Sequence, residues 1–66
     1  MEFYVNGEKI QLPEGATIQD LLQQQKLEPI RVAVELNCDV VPKKAYAGTS
    51  LKAGDRVEIV TFVGGG

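Results

Sequence analysis

Three observations in these 66 residues predict an α+β fold, a mixed sheet of four to five strands with one helix packed across one face. Two short extended runs near the start are joined through an Asn-Gly pair, a single apolar stripe at helical spacing follows, and the second half returns to alternating valine-rich runs.

Phe3 to Asn6 and Glu8 to Leu12 are the first two strands, because Asn6-Gly7 tolerates the positive φ angles of a tight hairpin turn. Pro13-Glu14-Gly15 breaks the second run. Thr17, with Asp20 three residues on, has the spacing of a capping box, and Ile18, Leu21 and Leu22 recur at i, i+3, i+4 between glutamines. These predict a helix of about ten residues, its stripe closed by Leu27 and its continuation barred by Pro29. "RVAVEL" alternates again, with Val32, Val34 and Leu36 on one face. Asn37-Cys38-Asp39 reads as a turn, and Val40-Val41 pairs back briefly before Pro42 removes a donor. A loop from Lys43 to Ser50 precedes a Gly54-Asp55 turn and a last strand from Val57 to Val63.

A helix between the second and later strands is a crossover, so part of the sheet is expected to be parallel. The order strand, strand, helix, strand, short strand, strand is that of the β-grasp, or ubiquitin-like, fold. In it the last strand pairs with the first, sits centrally, and leaves its end free. Residues 1–63 are expected to form one β-grasp domain and residues 64–66 a flexible glycine tail.

Composition narrows the function. A formal charge of -2 and few clustered cations argue against phosphate-backbone partners, so no nucleic acid is expected. No run of about 18 apolar residues reads as a membrane span and no basic-apolar leader reads as a secretion signal, which predicts no membrane partner and a cytoplasmic protein. Cys38 is the only cysteine and there is no histidine, so neither a zinc site nor a Cys-His nucleophile has its groups. No catalytic residue and no metal site is expected, and the chain reads as something other than an enzyme.

The group in an unusual setting is the terminal carboxylate of Gly66, preceded by Gly65 and Gly64. Glycines supply no steric shield, so such an end can thread a narrow channel into a partner's site. A frayed end or a linker remnant would look the same, but here the glycines follow directly on "VEIVTFV". A carboxylate is an anion at neutral pH and a poor electrophile, so it needs activation. Attack on the α-phosphorus of ATP would give an acyl adenylate, a step that needs Mg²⁺ and phosphate-binding groups this chain lacks.

"VNGE", "GATIQDLL", "VAVELN", "VVP", "GDRVEIV" and the final "VGGG" together, in this order, resemble the ThiS family of sulfur carriers in thiamin biosynthesis. The resemblance spans essentially the whole chain. It implies a protein co-substrate whose terminal glycine is adenylated by a ThiF-like, ATP- and Mg-dependent activating enzyme and converted to a thiocarboxylate. It further implies a sulfur donor system, and transfer of the sulfur to a ThiG-like thiazole synthase. By motif, Gly66 is the acceptor and Gly65 and Gly64 its slender approach. After "VVP" the family pattern carries a basic residue and then an aromatic, often Trp, where this chain has Lys43 and Tyr46. Cys38 is no part of the motif and reads as a turn residue.

If Val57, Ile59 and Thr61 face the helix, then Val60 and Phe62, joined by Tyr4 of the first strand, are left on the open face of the sheet beside the tail, a candidate docking patch. Ordinary cross-strand packing on a half-exposed sheet is the competing account. Rival functions share the fold: a molybdopterin-synthase small subunit, a ubiquitin-like modifier, or a β-grasp interaction module without tail chemistry.

Overall fold

The computed structural model describes residues 1–62. Strands β1 (Glu2–Val5), β2 (Glu8–Gln11), β3 (Val32–Leu36), β4 (Asp39–Val41) and β5 (Arg56–Thr61) form one sheet in the order β2-β1-β5-β3-β4. β1 and β5 are parallel, and the other pairings are antiparallel. The expected mixed sheet with its last strand at the centre is therefore present. Val63, at the end of the expected strand, and the tail residues Gly64, Gly65 and Gly66 lie outside the described residues.

Both hairpins turn on two residues at positive φ. Asn6 (φ 50°) and Gly7 (φ 85°) join β1 to β2; Asn37 (φ 52°) and Cys38 (φ 75°) join β3 to β4. This mirror-image turn matches the right-handed twist of the flanking strands, and asparagine tolerates the left-handed region. The second turn is one residue tighter than the sequence suggests, because Asp39 already pairs with Leu36.

Helix α1 (Ile18–Gln24) starts at the expected capping box: Thr17 Oγ1 accepts from the Asp20 backbone at 3.2 Å, and Asp20 Oδ2 accepts from the Thr17 backbone at 2.9 Å. It is seven residues long, shorter than the apolar stripe implies. The reason lies at Lys26, whose φ of 58° puts it in the left-handed region. There the Lys26 N–H donates to the Gln23 carbonyl (3.1 Å) and the Leu27 N–H to the Leu22 carbonyl (2.8 Å). That pair of bonds is the Schellman cap, with a lysine where glycine is usual. Leu27 then folds back against the core. Two 3₁₀ segments complete the chain, Pro29–Arg31 ahead of β3 and Lys43–Gly48 after β4.

Phe3, Ile18, Leu21, Leu22, Val32, Val34 and Val57 are fully buried between α1 and one face of the sheet. The loop expected at 43–50 is instead partly wound, and it drives Tyr46 into that core. Burial pushes the Tyr46 hydroxyl above its ordinary value of 10.0, a hydrogen bond with the Val34 backbone opposing the shift. The segment is tied to the helix start by the Ile18 N–H on the Thr49 carbonyl and the Leu51 N–H on the Ala16 carbonyl (3.0 and 2.8 Å). Thr61, expected on the inner face with Val57 and Ile59, is exposed. Its cross-strand partner Val32 is fully buried, so at this row the inner face is covered on β3 and open on β5.

Lys26 gives a direct test of the cap. Lys26→Gly removes the Cβ penalty of the left-handed conformation and is expected to stabilise the fold by about 0.5–1 kcal/mol, read as a higher urea midpoint at unchanged m-value. A lower midpoint would show that the lysine stem contributes more than its backbone strain costs.

Candidate functional site

β5 carries the residues that lead to the tail, and its neighbours determine what surrounds them. Leu36 pairs with Val57 and Val32 with Thr61. One more step along the same register, the Phe62 N–H donates to the Arg31 carbonyl at 2.9 Å. The chain thus reaches Phe62 still bonded to its neighbour. Phe62 is 52% exposed, with Lys43 Nζ 5.9 Å from its ring centroid. The basic residue after "VVP" therefore lies over the last described aromatic, a contact the sequence alone does not reveal.

The open face of the sheet is uneven. Val60 is 61% exposed and stands opposite Ala33. Val40, 73% exposed, stands opposite Glu35 on β4. Val60 and Phe62 make an apolar end beside the exit of the chain, whereas Val40 stands on the outer strand in the row of Glu35 and Glu58. The exposure of Val40 has a signal in the sequence, since of two adjacent valines on one strand one must face outward, but the register sets it apart from Val60 and Phe62.

Tyr4 is on this open face too, but not with the others. It pairs with Arg56, four residues before Val60, and four strand residues span about 13 Å. Tyr4 instead lines a shallow groove with Gly7, Arg56 and Glu58. Between the two ends, Glu58 and Glu35 face each other directly across β5 and β3, both exposed. Like charges in that position oppose pairing. The face is thus apolar at the exit end, acidic in the middle, and mixed at the far end.

Cys38 lies in the β3–β4 turn, beyond Leu36 and therefore at the Val57 end of β5. From there to Thr61 is four residues along the strand, about 13 Å, so the thiol is remote from the chain exit. Among the described residues no group of three His, Cys, Asp or Glu side chains could hold a metal, and no helix is long and apolar enough to cross a membrane. Gly64, Gly65 and Gly66, the sequence-derived reactive end, lie outside the described residues; what the fold positions is their point of departure at Phe62.

Comparison with known proteins gives consistent results. A family model described as the ThiS family matches residues 1–66. The sulfur carrier protein ThiS of Bacillus subtilis is 41% identical over 63 residues, covering 94% of this chain and 96% of its own. A thiazole synthase of Paramagnetospirillum magneticum is 39% identical over 66 residues, all of this chain but 20% of its own length. The chain spans about a fifth of the length of the thiazole synthases it matches. The crystal structure of a thiamine biosynthesis protein (ThiS) from Geobacter metallireducens superposes with a TM-score of 0.84 at 36% identity, each chain covered completely.

Proposed function

The chain belongs to the ThiS family, and on that premise we propose that it is a sulfur carrier of thiamin biosynthesis, acting through the C-terminal carboxylate of Gly66. The observation that carries this reading is the match of the family along the whole chain, its final glycines included. The protein is a co-substrate; the catalysis belongs to its partners.

The chemistry follows from the carboxylate. A carboxylate oxygen of Gly66 attacks the α-phosphorus of ATP, forming a P–O bond as the bond to pyrophosphate breaks. A ThiF-like activating enzyme supplies the ATP site and the Mg²⁺ that neutralises the phosphates. The resulting acyl adenylate is a good electrophile. Hydrosulfide released by a donor system then attacks the acyl carbon; a C–S bond forms, the C–O bond to AMP breaks, and loss of the S–H proton leaves a thiocarboxylate. Thiocarboxylate sulfur is a better nucleophile than carboxylate oxygen and is handed on to a ThiG-like thiazole synthase. That pairing is supported by the thiazole synthases, in which a stretch similar to this chain makes up about a fifth of the polypeptide. The reaction belongs to the cytoplasm, where a reducing poise suits the unpaired Cys38.

Gly64 and Gly65 serve as the thread: without side chains they let the terminus pass into a channel too narrow for any other residue. The apolar end of the open face, Val60 and Phe62, lies beside the origin of that thread and offers a partner a docking surface continuous with it. Tyr4, at the other end of the face, can contact only a partner broad enough to cover the acidic middle.

Two changes separate tail from patch. Deleting Gly65 and Gly66 is expected to abolish ATP–pyrophosphate exchange by the activating enzyme while the thermal midpoint stays unchanged, because no core residue is touched; a truncated chain that keeps full exchange rules the carrier reading out. Phe62→Asp is expected to raise the KM for the carrier about tenfold with the fold intact. Unchanged kinetics for that variant would remove the docking role from this face.

A further inference from the structure

Asn6 does more than turn the chain. β1 pairs with β5 only at Tyr4–Arg56 and Val5–Val57. The Asn6 N–H still donates to the Val57 carbonyl at 2.8 Å, and then the backbone swings away at φ 50° into the hairpin. The next peptide groups of β5 that face this edge belong to Ile59, and β1 has no residue left to meet them. The Asn6 carboxamide meets them instead: Nδ2 donates to the Ile59 carbonyl at 3.1 Å, and Oδ1 accepts from the Ile59 N–H at 2.8 Å. A side chain thus replaces one residue of a parallel ladder, with donor and acceptor both matched.

On its other edge the end of β5 is held by β3, through the Val32–Thr61 pairing and the Phe62 N–H on the Arg31 carbonyl. Beyond Val57 the β1 edge is held, among the described residues, by the Asn6 carboxamide alone. Ile59 lies three residues before Phe62, and therefore close to the root of the tail. A strand gripped on one edge only can swing about that edge, and its direction of departure swings with it.

We propose that Asn6 is a positioning residue for the C-terminal tail, its carboxamide fixing the direction in which β5 leaves the sheet and so aiming the glycines at the activating partner. The role rests on the sulfur-carrier reading. Its physical basis is preorganisation: a root of fixed direction loses less freedom on docking. Once docked, Gly66 sits in the same site whether or not the root was fixed beforehand. The loss therefore falls on binding and leaves the chemical step alone, which shows as KM and not as kcat.

Asn6→Gly tests this, because glycine keeps the left-handed turn and removes the carboxamide, its added backbone freedom being matched in stability cost by the control. Thr17→Ala is the control, since it removes the helix cap at a comparable cost in stability but far from the tail. With the activating enzyme, ATP and Mg²⁺, Asn6→Gly is expected to raise the carrier's KM by about three- to tenfold at unchanged kcat, and Thr17→Ala to leave both unchanged. Amide exchange of the free protein gives an independent readout: the Ile59 N–H should lose protection while Val34 and Val57 keep theirs. Asn6→Asp, which keeps the acceptor but sets a carboxylate oxygen against the Ile59 carbonyl, should raise KM as well. Equal KM in wild type and Asn6→Gly, equal shifts in Asn6→Gly and Thr17→Ala, or full Ile59 protection in Asn6→Gly would each overturn the proposal. Absence of ATP–pyrophosphate exchange with the wild-type chain would overturn the carrier reading and this role with it, whereas an active wild type with unmoved variants overturns this role alone.

Discussion

Strand β5 is bonded to a neighbour on each edge, parallel to β1 and antiparallel to β3, and the rest of the structure depends on that double pairing. It joins the two hairpins, one from the start of the chain and one from its middle, into one sheet. Val57 and Ile59 face inward from it, onto the apolar stripe of α1. A sheet this small has a thin core, and a central strand anchored on both edges gives it cooperativity that a peripheral one would not. The same pairing ties the strand that leads toward the glycines into the middle of the sheet.

Asparagine side chains fasten β5 at two points, its first residue and Ile59. Asn6 and Asn37 sit in left-handed turns, and each turns its carboxamide onto the β5 backbone: Asn6 onto Ile59, and Asn37 Oδ1 onto the Arg56 N–H at 2.9 Å, with Asn37 Nδ2 also on Asp55. Asparagine suits both tasks, tolerating the positive φ of the turn while carrying a donor and an acceptor of peptide geometry. Glycine would serve the turn and lose the clamp.

Local signals made much of this legible in the sequence. The Asn6-Gly7 hairpin, the Thr17–Asp20 box and the alternation of residues 32–36 act over a few residues, and the strand order follows from them by topology. What stayed hidden was non-local or atypical. Tyr46 is buried because α1 and the sheet leave room for it, which no window around residue 46 shows. Lys26 ends the helix early without the glycine that announces such a cap. The Asn6 clamp joins residues 53 apart in sequence. Alternation placed Tyr4 correctly on the open face, but register placed it about 13 Å from Val60, and register is not written in any one strand. For the site the division is sharper. The glycine ending drew attention in the sequence, while the fold accounts for how its root is held and what surface adjoins it.

The proposed function therefore has two parts, a folded domain with β5 at the centre of its sheet and a terminal carboxylate proposed to be activated by a partner. The domain could serve several chemistries; sulfur is singled out by membership of the ThiS family. Intact mass of the protein, taken after incubation with ATP, Mg²⁺, the activating enzyme and a sulfur source, tests this most directly. The account predicts a gain of about 16 Da, one oxygen replaced by sulfur, localised by fragmentation to Gly66. An unchanged mass at Gly66 with an activating enzyme proven competent would contradict it.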